Sequence, residues 1–281
     1  MQRVGEHPVP AGPLAVRWLA WEVEPPRAGA RGRGRVELEN AGAAPWRPRD
    51  GEGVRLSYHW LDELGNPIVW DGLRTDFEDD VAPGQRLTLD VRLRAPMPAG
   101  PYRLAFDLVE EGRWWFEEVG NVPLAVPVRV LPRLERRALA VRGADPGALD
   151  GLEEPVVPEA EAEAVAELAP GVVPAPDWSS RILDAHERGY GVVAGAVAVD
   201  GGRLERRHMA RELAQWQPGG GVVPGFDAPL LCPSVVVGLE VESAPEVAGL
   251  PAVHPPGGEE PWLYDGRIVV TARPRRDRPP A

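Results

Sequence analysis

The chain has 281 residues, a hydrophobic content of 43% and a formal net charge of −12. That length buries one large core or two ordinary ones, and domains of roughly 100 to 150 residues favour two. The acidic balance argues against a nucleic-acid partner, because neutralising phosphates needs a basic face, and 33 prolines with 32 glycines argue against an all-helical fold.

In chain order, residues 1–13 (MQRVGEHPVPAGP) form an N-terminal tail without the apolar run of a signal peptide. No stretch approaches the roughly 18 to 20 apolar residues of a membrane span, so a cytoplasmic location is expected. Residues 14–131 break into alternating segments separated by turn chemistry, the pattern of an antiparallel β-sandwich of seven or eight strands. In QRLTLDVRLRAP, Leu87, Leu89, Val91 and Leu93 share one face, and Arg86, Thr88, Asp90, Arg92 and Arg94 the other. One face is core and the other is wet. Tyr102, Leu104, Phe106 and Leu108 align in the same way, as do Val54, Leu56, Tyr58 and Trp60. Asn40-Ala41-Gly42 and Ala82-Pro83-Gly84 are among the turns that separate the strands.

Residues 132–176, with LEEPVVPEAEAEAVAELAPGVVPAP, are acidic, rich in Ala and Pro, and lack an apolar pattern that would cover a core. They read as a solvated linker, with one short helix at Glu159 to Leu168. Residues 177–275 read as a small α/β or α+β domain and 276–281 as a C-terminal tail. Asp177 caps a helix through WSSRILDAHERG, which Gly189 stops. A buried strand follows in YGVVAGAVAVDGG, then a second helix in LERRHMARELAQW and a flexible QPGGGVVPGF. A strand in SVVVGLEVE and a hairpin-like element around LYDGRIVVTAR complete the domain. The fold class is thus mostly β: an immunoglobulin-like sandwich, an acidic linker and a small second domain.

Several segments of the sandwich carry a resemblance. The run NAGAAPW, VRLSYHWLDELGNPIVWDGLRT, DVAPGQRLTLDVRLRAP and AGPYRLAFDLVEEGRWWF resembles an immunoglobulin-like module attached to bacterial glycosyltransferases and methyltransferases of surface-polysaccharide synthesis, over roughly residues 30–130. The resemblance implies an accessory role, holding a saccharide or docking a synthetic enzyme, and implies no catalytic residues. More faintly, DWSSRILDAHERGYGVVAGAVAVDGG and QPGGGVVPGF resemble the acceptor-side half of a family 2 glycosyltransferase. The nucleotide-binding units of that family should precede Trp178, where the sandwich and linker stand instead.

Saccharide recognition uses aromatic faces against the apolar side of a sugar ring, with carboxylates and guanidinium groups on its hydroxyls. Trp70, Trp114 and Trp115, with His59, Asp71 and Arg74, offer that chemistry. Trp60 is in phase with Val54, Leu56 and Tyr58 and belongs to the core. Trp114 and Trp115 are adjacent, so on a strand they point to opposite faces and one of them faces outward.

Other candidates have plainer readings. Glu78-Asp79-Asp80 is a solvated loop, and nothing fixes a separation between Glu110-Glu111 and Glu117-Glu118 that would suit glycoside hydrolysis. His7, His59, His186, His208 and His254 show no metal-ligand spacing, so no metal and no cofactor are expected. Asp184, His186 and Ser234 form a nominal hydrolase set without the elbow motif that exposes a serine, which leaves His186 a helix-surface residue. Cys232, the only cysteine, excludes an internal disulfide. Gly219 to Gly221 lack a following Lys-Ser or Lys-Thr, so they are a flexible loop and not a phosphate loop.

The expected function is therefore a non-catalytic accessory binding protein of bacterial glycan assembly, with a saccharide or a glycan-assembly enzyme as partner. A protein-interaction scaffold and a divergent glycosyltransferase are the alternatives.

Overall fold

The computed structural model describes residues 1–49, 52–168, 171–203, 218–219, 221–225 and 261–272. The chain divides into two compact units, Met1–Pro132 and Arg133–Ala281.

The first unit is an immunoglobulin-like antiparallel sandwich. One sheet has the order β1 (Gln2–Arg3), β2 (Val16–Val23), β3 (Arg31–Asn40) and β7 (Arg86–Arg94). The other runs β10 (Leu124–Val130), β8 (Gly100–Glu110), β5 (Glu52–Leu61) and β4 (Pro48–Arg49), with β6 (Pro67–Val69) paired to β5 and β9 (Trp114–Trp115) paired to β8. Alternation decides what each strand contributes to the core. Val91 and Leu93 on β7 are buried while Arg86, Thr88, Asp90 and Arg92 are exposed. Leu56, Tyr58 and Trp60 on β5 meet Leu104, Phe106 and Leu108 on β8 in the same buried layer.

Polar atoms tie the sheets together inside that layer. The Arg94 amide donates to Tyr58 Oη at 2.8 Å, and the Trp60 indole N–H donates to the Arg94 carbonyl at 2.9 Å. Each bond satisfies a group that burial would otherwise leave unpaired. Residues 2–3, expected in a tail, instead extend the first sheet, with Gln2 opposite Trp21 and Arg3 opposite Ala20.

The second unit contains the segment expected as a solvated linker. Residues 133–168 and 171–176 are folded: β11 (Leu139–Arg142) pairs in parallel with β12 (Ala164–Glu167), and β13 (Val172–Pro174) joins a larger sheet. Leu134, Leu139, Ala164, Ala166, Leu168 and Val172 lie in the core cluster. The acidity is matched locally, because Arg137 pairs with Glu154, Arg142 with Glu159 and Arg136 with Glu163. Inward-facing alanines give a weak hydrophobic pattern, which is why the strand β12 does not stand out in the sequence. The helix expected from Glu159 is a single 3-10 turn, Glu159–Glu161.

The larger sheet has the order β13, β16 (Trp262–Ala272), β14 (Val192–Val199), with β15 (Val222–Gly225) also paired to β16. Helix α1 (Trp178–Glu187) buries Trp178, Ile182, Leu183 and Ala185. Asp177 precedes it as expected, but its carboxylate bonds Arg181 at 2.5 Å and caps no helix amide. His186, expected on the helix surface, is 4% exposed, and its Nδ1 bonds the Tyr190 carbonyl at 2.8 Å. Val222–Gly225, expected to be flexible, is a strand against β16.

The expected hairpin around Asp265-Gly266 is one continuous strand, and its turn chemistry is absorbed in a bulge. Asp265 pairs with Gly195 and Val269 with Ala196, so residues 266–268 are extra. The buried Asp265 carboxylate accepts from the Arg267 amide at 2.9 Å and its guanidinium at 2.6 Å. A Cβ at Gly195 would stand 2.1 Å from the Ile268 carbonyl oxygen, so the bulge needs glycine opposite it. The second helix expected at 204–216, the strand at 234–242, Cys232 and Ser234 lie outside the described residues.

Candidate aromatic and acidic site on the outer face of the sandwich

The sheet that carries β5 and β8 has a second buried face. Ser57 and His59 point away from the main core on β5, and Ala105 and Asp107 do so on β8, with Ser57 opposite Asp107 and His59 opposite Ala105. All four are at most 3% exposed. An open sandwich face would be wet, but two chain segments close this one.

The first covering segment runs across β5. The Gly72 amide donates to the Tyr58 carbonyl at 3.0 Å, and Thr75 bridges to Leu56. A Cβ at Gly72 would lie 2.4 Å from the Tyr58 oxygen and 2.6 Å from its ring, so only glycine lets the backbone come this close. The second segment is β9 with the 3-10 turn Phe116–Val119, where Val109 pairs with Trp115 and Glu110 with Trp114. Phe116 turns into the main core against Trp46.

These segments assemble five of the six residues singled out from the sequence. The Trp70 and His59 rings stack at 4.1 Å with planes 21° apart, and Trp115 meets His59 edge-on at 4.4 Å. The Arg74 guanidinium carbon lies 5.0 Å from the Trp115 centroid. Arg74 also pairs with Asp71 and Glu111, each at 2.5 Å, and donates to Ser57 Oγ at 3.0 Å and the Gly72 carbonyl at 2.8 Å. Burial opposes the Arg74 charge, but the bonds to Glu111 and Asp71 outweigh it and raise its pKa. Trp70 remains 44% exposed, and Trp60 is fully buried as its phase requires. Trp114 stands apart, 41% exposed, with the Arg113 guanidinium 5.9 Å from its centroid.

Under the aromatic layer lies a buried carboxylate, Asp107, that sequence reading did not assign to a site. Asp107 is fully buried and its carboxylate accepts from the Leu108 amide at 2.8 Å and the Glu117 amide at 3.2 Å. Burial, reinforced by the nearby Glu117 and Glu118 charges, pushes its carboxyl up to about 7. Burial lowers the His59 pKa and so favours its neutral imidazole. The His59 Nδ1 faces the Trp70 carbonyl. A carbonyl only accepts, so Nδ1 carries the proton and the Nε2 lone pair is left, with no hydrogen-bond partner, in a buried position.

Three of the four carboxylates weighed for hydrolysis are engaged singly, and the fourth, Glu117, lies beside Asp107 and His59. Glu110 pairs with Arg113 and Glu111 with Arg74, while Glu118 accepts from the Trp115 amide. Glu78, Asp79 and Asp80 are exposed, as a solvated loop requires.

No protein-family model and no curated protein match the chain. Among solved structures, the chain is similar to the C-terminal domain of Wzt at 10% identity and a TM-score of 0.30, over 42% of this chain and 75% of that one. It is similar to a β-glucuronidase of glycoside hydrolase family 2 at 11% identity and a TM-score of 0.26, covering 47% of this chain and 14% of that chain. A family 123 glycoside hydrolase from Clostridium perfringens matches at 11% identity and a TM-score of 0.23, over 61% and 32% of the two chains. Likeness of this degree carries no ligand or activity across. Among the described residues no helix is long and apolar enough to cross a membrane.

Proposed function

We propose that this protein is a non-catalytic accessory binder of bacterial glycan assembly that holds a saccharide on the outer face of its sandwich. The observation that carries the reading is a half-exposed Trp70 indole held in place by His59, with Asp71 and Arg74 fixed beside it. An indole face covers the apolar side of a pyranose, and a neighbouring carboxylate and guanidinium bond its hydroxyls. The support is rigid: Gly72 seats the loop against β5, and Arg74 is bonded to two carboxylates, a hydroxyl and a carbonyl. A site held in this way loses little entropy on binding.

Titration of the intact protein against a panel of bacterial glycans, by array and then calorimetry, tests the reading. Binding that weakens tenfold or more in Trp70→Ala, with the fold retained, supports it. No binding to any glycan overturns it. A protein partner is the second reading, favoured by Trp114, which is exposed and sits away from the aromatic layer. Co-purification of one partner that protects both Trp70 and Trp114 from oxidation would select that alternative.

A further inference from the structure

We propose that His59, Asp107 and Glu117 form a binding site for one divalent transition-metal cation, with zinc as its representative. One donor atom from each lies within 4.8 Å of the other two. The three come from β5, β8 and the 3-10 turn after β9, so the fold, and not local sequence spacing, brings them together.

The donor chemistry suits the ion. A neutral imidazole nitrogen and two carboxylate oxygens match a borderline cation, and three protein ligands leave a fourth position for water or a ligand. His59 is 1% exposed and its Nε2 is buried without a partner. Its Nδ1 bond to the Trp70 carbonyl sets the tautomer and ring orientation that a metal-binding histidine needs, the usual arrangement behind such ligands. Asp107 is sealed from solvent and, among the described residues, has no arginine paired to it, because Arg74 is committed to Asp71 and Glu111. A buried carboxyl in that position holds either a proton or a cation. A divalent ion would balance the two carboxylates with no residual charge.

Bonds of about 2.0–2.2 Å place tetrahedral donors about 3.3 Å apart. Glu117 is partly exposed and, unlike the other two, sits in a turn, so rotation about its own side-chain bonds is free to carry its carboxylate towards the other donors. The site goes beyond the saccharide reading and needs no glycan for its test.

Untagged, chelator-stripped protein should be titrated with zinc chloride by calorimetry, with bound metal counted by elemental analysis. One zinc per chain is expected, together with a rise in the melting temperature. Affinity should fall at least tenfold in Glu117→Gln and in Asp107→Asn, with circular dichroism confirming the fold. Glu117→Gln alters a partly exposed side chain and keeps the test decisive should Asp107→Asn unfold. Failure of the stripped protein to take up zinc, or uptake unchanged in the folded variants, overturns the proposal.

Discussion

The Trp70 indole rests on the His59 imidazole with ring centroids 4.1 Å apart, and the Trp70 carbonyl faces the same histidine's Nδ1. One residue therefore holds His59 by ring and by backbone. Trp70→Ala removes the ring and keeps the backbone bond. An aromatic pair of this kind is worth about 1 kcal/mol. We predict a stability loss of about that size in urea unfolding, and a loss of about 1–3 kcal/mol in glycan affinity by calorimetry. Loss of glycan affinity that merely tracked global unfolding would contradict the prediction.

Arg74 and Arg113 both lie over tryptophans, but their settings differ. Arg74 is 21% exposed and links Asp71, Glu111, Ser57 and the Gly72 carbonyl, whereas Arg113 is 62% exposed and, among the described residues, forms an ion pair only with Glu110. Removing Arg74 leaves Glu111 and Ser57 without their donor, at a cost of about 2–3 kcal/mol. Removing Arg113 should cost less than about 1 kcal/mol, since an exposed pair is screened. Arg74→Ala and Arg113→Ala compared in chemical denaturation should show that order. Equal effects would mean that the Arg74 network is not formed in solution.

Gly72 sits where the covering segment crosses β5, and a methyl group there meets the Tyr58 carbonyl at 2.4 Å. The backbone on both sides is hydrogen-bonded, so relief requires the segment to lift. Gly72→Ala should destabilise the protein by about 1–3 kcal/mol, the usual cost of overpacking. The same lift should raise hydrogen exchange at the Gly72 and Thr75 amides, which bond the Tyr58 and Leu56 carbonyls. Gly65, with nothing near its Cβ position but a φ of +89°, is a contrasting site where strain is purely conformational.

What was legible in the sequence, and what was not, follows from the range of each signal. Period-two alternation reports one face at a time, so Leu56, Tyr58 and Trp60 were readable as core. The same alternation marks Ser57, His59 and Asp107 as solvent-facing, because it cannot register a second layer laid down by distant segments. Asp107 thus escaped notice, although it is fully buried. Trp70, Asp71 and Arg74 were readable as a group because they are near neighbours. Their junction with Trp115 and Glu111 depends on β-pairing across more than thirty positions of chain. In the second unit, alanine-rich strands and arginine-matched glutamates masked a folded segment as a linker.

His186 carries the clearest pH dependence. It is nearly fully buried, its Nδ1 bonds the Tyr190 carbonyl at 2.8 Å and its Nε2 has no partner. Burial, opposed by that carbonyl and aided by the Arg133 charge, lowers its pKa from 6.5 to about 4. Above pH 6.5 both folded and unfolded chains hold a neutral imidazole, and the stability is complete. As the pH falls from 6.5 towards 4, the unfolded chain takes up a proton that the folded chain refuses, so stability declines by about 3 kcal/mol over that window. Urea midpoints measured between pH 7.5 and 4 should fall accordingly. His59, also lowered by burial, contributes in the same direction, and carboxylates add their own slopes, so the informative quantity is the difference between wild type and His186→Leu. The variant should lose this part of the pH dependence while keeping the rest. Parallel pH curves for the two proteins would show that His186 titrates near its ordinary value and is hydrated in solution.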